Sequence, residues 1–166
     1  MVLPIRSIEF KINVGDRRGV VSPFGVKWIP ITYETEKLIR SKKFASGQVL
    51  LRATHTTAAV LVQEYEKCLL RDIAEHLNDF APLQCKWQHD DFPNGKRVAN
   101  LCKDECHNGH SHGKRILLPT SITLPYENGK LIRGKWERIL LLDCDWKPTN
   151  PRTRTIYVQM MGEFRS

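Results

Sequence analysis

The stretch Ser121-Ile122-Thr123-Leu124-Pro125-Tyr126-Glu127-Asn128-Gly129-Lys130-Leu131-Ile132 decides the fold class. Two apolar runs flank Asn128-Gly129. That dipeptide accepts the positive φ angles of a type I′ turn, whose twist matches that of paired strands. The stretch therefore predicts a β-hairpin. Outward from it, Trp136–Cys144 and Arg154–Met161 read as further strands, and Ser7–Val14 alternates apolar and polar residues as a half-buried strand does. Val49–Ala53 and Ala58–Val62 are rich in small and β-branched residues. They read as two strands, or as one long strand interrupted at Thr54-His55-Thr56-Thr57. Two helices are predicted. Thr32 can cap one that runs to about Lys43, and Lys67–Asn78 places Leu69, Leu70, Ile73, Ala74 and Leu77 on one side, with Pro82 beyond its end. The expectation is an α+β fold of mostly antiparallel strands with two short helices on one side.

The chain of 166 residues has the size of a single domain, 1–166, and its 41% hydrophobic content supports a core. No apolar run approaches a membrane span. The opening Met1-Val2-Leu3-Pro4-Ile5-Arg6 turns polar too soon for a signal peptide, so a cytoplasmic location is expected. The five cysteines, an odd number, read as reduced thiols. A net charge of +8 favours anionic partners, among them phosphorylated small molecules. The basic residues are scattered, with runs no longer than Arg17-Arg18 or Lys42-Lys43, which argues against nucleic acid.

Three of the six histidines lie in His107-Asn108-Gly109-His110-Ser111-His112. If the segment is extended, His110 and His112 point to the same face and both imidazoles can reach one ion. His107 joins them only if the chain turns at Asn108-Gly109. Cys102-x-x-x-Cys106 with His110 and His112 offers a rival, a Cys2His2 structural zinc site. The plain alternatives are a solvated polar loop and two free thiols.

Four other groups are candidates. His55 with Thr56 and Thr57 brings hydroxyls beside an imidazole, a combination suited to phosphate or water, although a lone strand histidine is more often a hydrogen-bonded core residue. Glu64 ends the same apolar run, as a base or as a strand-end charge. His89-Asp90-Asp91 can hold a divalent cation or form a surface turn. Asp143 and Asp145 end an apolar strand, and Arg152 and Arg154 after them can clamp a phosphate or sit solvated at the surface.

In this order the fragments resemble the YjbQ-like family, also called the secondary thiamine-phosphate synthase family. The resemblance rests on His55-Thr56-Thr57-Ala58-Ala59-Val60 with Glu64, on Asp72, His89-Asp90 and Glu105, and most closely on Asn108-Gly109-His110-Ser111-His112. It continues through Ser121-Ile122-Thr123-Leu124-Pro125, Gly129-Lys130-Leu131, Gly134-Lys135-Trp136 and Val158-Gln159-Met160-Met161-Gly162-Glu163. It implies a β-sandwich core, assembly as a homotrimer, and a pocket for a divalent metal, zinc or magnesium, and an anion. The implied activity is a transferase reaction that joins a pyrimidine diphosphate to a thiazole phosphate with loss of diphosphate. On this reading His89, His110 and His112 are metal ligands; His55, Glu64, His89 and Asp143 are catalytic; and Thr56, Thr57, Ser121, Arg152 and Arg154 bind the phosphorylated substrate. The alternatives are a metal-dependent hydrolase of a small phosphorylated substrate and a non-catalytic structural zinc or binding protein.

Overall fold

The fold is that of a computed structural model, which describes residues 5–13, 15, 18–42, 44–90, 107–149 and 152–164. Cys102, Cys106, Glu105 and Asp91 lie outside the described residues.

Among the described residues, nine strands and three helices follow in the order β1 (Ile5–Asn13), β2 (Val20–Ser22), β3 (Val26–Pro30), α1 (Thr32–Ser41), β4 (Phe44–Ala53), β5 (Ala58–Glu64), α2 (Lys67–Phe80), α3 (Gly109–Ile116), β6 (Ser121–Glu127), β7 (Lys130–Leu131), β8 (Glu137–Asp143) and β9 (Thr153–Phe164). A 3₁₀ turn at Gln88–Asp90 precedes α3. The strands form a five-stranded sheet, β1-β9-β4-β6-β7, and a four-stranded sheet, β2-β3-β8-β5. Every pairing is antiparallel. The predicted hairpin is present. Asn128 and Gly129 have φ of 50° and 79°, and Glu127 faces Lys130 across the turn.

Strand β8 shows why the two sheets stack. Its Ile139-Leu140-Leu141-Leu142 run does not alternate with polar residues because both faces are buried. Ile139 and Leu141 join Val49, Leu51, Val60, Ile156 and Val158 in the core between the sheets. Leu140 and Leu142 point the other way, against Leu70, Ala74 and Leu77 of α2.

The helices differ from the expectation of two on one side. Helix α2 covers the outer face of the four-stranded sheet, while Ile39 of α1 enters the core between the sheets. Thr32 does not cap α1. Ile31 holds that position, and the Thr32 hydroxyl instead accepts the Ile139 amide at 2.8 Å, tying the helix to β8. Helix α2 is capped by Glu66, which accepts the amides of Cys68 and Leu69. The third helix, α3, carries the histidine motif.

Val49–Ala53 and Ala58–Val62 fall in β4 and β5, which lie in different sheets. Residues 54–57 are the crossing. The Thr54 amide donates to the Thr155 carbonyl at one end, and the Thr57 carbonyl accepts from the Cys144 amide at the other. No helix among the described residues is long and apolar enough to cross a membrane.

Candidate functional site

The crossing from β4 to β5 places His55, Thr56 and Thr57 at one end of the sandwich. The Thr57 amide donates to His55 Nδ1 at 3.2 Å, and the Thr57 hydroxyl lies 3.0 Å from the same nitrogen. Nδ1 is therefore an acceptor, and a neutral imidazole carries its proton on Nε2. Partial burial and, after it, the Arg154 guanidinium hold His55 below its ordinary value of 6.5. That favours the neutral ring.

Behind Thr57 the two sheets are stapled by a buried ion pair. Arg154 projects from β9 and donates to Asp143 at the end of β8 at 2.6 Å and to the Thr57 hydroxyl at 3.2 Å. Arg154 is 2% exposed and Asp143 is 0% exposed, so neither charge is solvated and each depends on the other. Asp143 also accepts the Asp145 amide at 3.1 Å. The Asp145 carboxylate, also buried, holds Arg152 and accepts from the Asn108 side-chain amide at 2.9 Å.

Asn108 leads into α3. The Asp90 carboxylate accepts the amides of Asn108 and Gly109, both at 3.0 Å, and caps the helix from the 3₁₀ turn. Burial alone would raise the Asp90 carboxyl. The bonds from His89, Gly109 and Asn108 overcome this and hold it below its usual value. His89 Nδ1 sits 2.8 Å from Asp90, and its ring centroid lies 4.9 Å from that of His112. A continuous set of hydrogen bonds thus joins His55, through Thr57, Arg154, Asp143, Asp145, Asn108 and Asp90, to His89.

The His110 and His112 side chains do not share a face. The expectation that they do assumed an extended segment. On the α-helix, two residues are separated by about 200° of rotation. His112 lines a cavity of about 610 Å³ together with Arg52, Thr54, His55, Thr56 and Arg115. His110 lines another, of about 420 Å³, with Trp146 and Gly25. The set His89, His110 and His112 therefore does not converge on one ion. Among the described residues, no three His, Cys, Asp or Glu side chains are grouped to hold a metal. A protein-held metal centre of these three ligands does not fit this arrangement.

The other expected residues separate in the same way. Thr56 lines the larger cavity. Ser121 is exposed at the start of β6, next to the cavity-lining Thr120 and opposite Arg52 in the register. Glu64 is at the far end of β5, paired with Glu137. Six residue steps from Ala58 put it about 20 Å away, outside this site. Arg154 and Arg152 are committed to Asp143 and Asp145 rather than to the cavity.

The arginines that do line the cavity, Arg52 and Arg115, were not singled out in the sequence. Among the described residues no carboxylate lines it, and neither arginine has an ion-pair partner. The sequence carries no signal for Arg52. The signal for α3 is Gly109-x-x-x-Gly113. The ring of Trp87 lies on both glycines, and a Cβ at Gly109 would come within 2.7 Å of it and one at Gly113 within 2.8 Å.

Residues 20–163 match the family described as UPF0047 protein YjbQ-like. The chain belongs to the YjbQ/UPF0047 family. Among the family's proteins, a UPF0047 protein of Archaeoglobus fulgidus is 34% identical over 136 residues, which is 82% of this chain and 92% of that protein. The UPF0047 protein YugU of Bacillus subtilis is 30% identical over 135 residues, 81% of this chain and 89% of that protein. The fold is similar to that of a crystallised YbjQ-like protein of unknown function from Sulfolobus solfataricus. There the TM-score is 0.71 and the identity 25%, with 96% of this chain and all of that one covered. A hypothetical protein from Aeropyrum pernix gives a TM-score of 0.71 at 26% identity, with coverage of 95% and 99%. The family's antiparallel α+β fold is thus the one found here, with three helices.

Proposed function

We propose that the cavity between residues 52–56 and α3 is the active site of an enzyme acting on a small phosphorylated substrate. The observation that carries this reading is a lining with two arginines, Arg52 and Arg115, and two imidazoles, His55 and His112, that among the described residues holds no carboxylate and no ion-pair partner for either arginine. Such a surface attracts a phosphate or diphosphate and repels few of its charges. His55 is held as the neutral Nε2–H tautomer by Thr57, and Thr57 is held in turn by Arg154 and Asp143. A pre-oriented donor of this kind stabilises charge that develops on an oxygen.

The finer reading is a thiamine-phosphate synthase-like transferase. The carbon–oxygen bond from the pyrimidine to its diphosphate breaks, diphosphate leaves with the bonding electrons, and the thiazole phosphate takes its place on carbon. Arg52, Arg115 and the His55 Nε2–H would receive the charge of the leaving diphosphate. Asp143 acts through Arg154 and Thr57 on the orientation of His55, and His89 acts on α3 through Asp90. The reading routes no step through a protein-held metal; a zinc or magnesium ion taking part would enter with the diphosphate. The expected homotrimer belongs to the same proposal. It draws support from the outer face of the five-stranded sheet, where Ile5 is 59% and Met161 39% exposed.

The test is diphosphate release from the pyrimidine diphosphate, with and without the thiazole phosphate, in the native chain and in His55→Ala and Arg115→Ala. Release that needs the thiazole partner and falls at least about a hundredfold in His55→Ala supports the transferase. Release without the partner indicates a hydrolase. Equal release in both variants and the native chain removes this cavity as the active site.

A further inference from the structure

The second cavity lies on the opposite side of α3, and nothing in the proposed reaction uses it. Val21, Leu83, His110, Trp146, Lys147 and Pro148 line it, with Gly25 at its floor. Its volume, about 420 Å³, falls within the range of about 300–1,000 Å³ typical of small-molecule sites. A benzene molecule is held by an engineered cavity of about 150 Å³, so there is room here for a two-ring system.

The walls are pinned by bonds from three directions. Lys114, fully buried, donates to the Phe24 carbonyl at 2.9 Å, and the Trp146 amide donates to the Gly25 carbonyl at 3.0 Å. The Leu83 amide donates to the Asn78 side chain at 2.9 Å. The turn between β2 and β3, the segment after α2 and the segment after β8 therefore hold their places without a ligand. That lowers the ordering cost of binding.

The chemistry of the lining is specific. Trp146, partly buried, offers an aromatic surface to the cavity, and Lys27 Nζ lies 5.9 Å from its ring centroid. His110 is 3% exposed, and its Nε2 lies 3.7 Å from where a Cβ on Gly25 would stand, at the cavity floor. Ser111 Oγ lies 3.1 Å from the same nitrogen. Burial, and after it the charge of Lys114, lowers the His110 pKa to about 4, so the ring meets a ligand as a neutral imidazole. Lys147, which also lines the cavity, lies 4.0 Å from Asp145 and 3.4 Å from the His107 carbonyl.

We propose that this cavity binds a planar aromatic carboxylate, with the ring packed against Trp146 and His110 and the carboxylate at Lys147. The apolar lining favours the ring, and Lys147, the one charged residue among the described lining residues, favours one negative charge rather than the several of a diphosphate. The site is independent of the reading of the first cavity.

The test is an NMR titration of the isotope-labelled full chain with indole-3-carboxylate and, separately, with indole. The expected result is that both compounds shift the Trp146 indole and His110 imidazole signals. Lys147→Ala, a change at a half-buried residue, should weaken the carboxylate about fivefold and leave indole unchanged. Trp146→Phe should keep the fold and both affinities within about threefold, while Trp146→Ala should lose both. The proposal is overturned if neither compound shifts these signals up to its solubility limit. It is equally overturned if the shifts fall on His55 and His112 instead, or if Lys147→Ala weakens both compounds alike. Loss of diphosphate release in the first cavity would leave these shifts untouched, so the two readings fail separately.

Discussion

His110 and His112, two residues apart on α3, open onto different cavities. Their neighbours differ accordingly. His112 stands beside His55, Arg52 and Arg115, whereas His110 is buried against Gly25 and Ser111. A motif that reads as one unit along the chain is divided by the helix into two sites.

The first prediction tests that division. His112→Ala should weaken binding of inorganic diphosphate about tenfold, the value of one lost charge-assisted hydrogen bond. His110→Ala should leave it within about twofold. Isothermal titration calorimetry reads both. Equal weakening in the two variants would place both imidazoles at one site.

The buried pair between Arg154 and Asp143 should be costly to break and cheap to replace. Asp143→Ala leaves Arg154 without its counter-charge and should lower unfolding stability by about 3–5 kcal/mol. A double variant, Asp143→Leu with Arg154→Met, should recover most of that loss. Urea denaturation of the three proteins checks it. A single variant within about 1 kcal/mol of native would show that the pair is not buried in solution.

Asp90, half-buried in the turn before α3, should matter to that helix as its cap. Asp90→Ala removes the acceptor for the Asn108 and Gly109 amides and should cost about 1–2 kcal/mol. Asp90→Asn, which still accepts, should cost less. Hydrogen exchange at the two amides should accelerate in Asp90→Ala alone; unchanged protection there would mean that Asp90 is not the cap.

Stability should fall with acid through His110. Its folded pKa, about 4, lies below the ordinary 6.5, so the unfolded chain takes up a proton before the folded one does. The stabilisation from keeping this ring neutral is complete above about pH 6.5 and is lost as pH falls from about 6.5 to about 4. Its size is about 3 kcal/mol. Urea midpoints across that window should drop in the native chain and drop less in His110→Gln. Parallel curves would assign the acid sensitivity elsewhere.

Much of the fold is legible in the chain because the signals are local. Asn128-Gly129 needs only its own φ angles to form a hairpin, and the apolar side of Lys67–Asn78 needs only helical spacing. Thr32 shows where local reasoning ends. It is a good cap residue, yet its hydroxyl is taken by Ile139, more than a hundred residues away. The helix at Gly109–Ile116 is not legible in the sequence for a related reason. It has no apolar stripe, two glycines and no cap of its own. Its cap comes from Asp90, and its glycines serve the approach of Trp87.

The sequence alone determined the antiparallel α+β class and the family. These follow from periodicity, turn chemistry and motif order, which are properties of short segments. Only the tertiary structure decided that Ala53 and Ala58 end up in different sheets and that Arg154 serves Asp143. It alone showed that Arg52 and Arg115 are the arginines facing the cavity, and that His110 belongs to another. Each of these depends on which distant groups share a buried volume, where an unpaired charge is too costly to leave and every charge must find its partner.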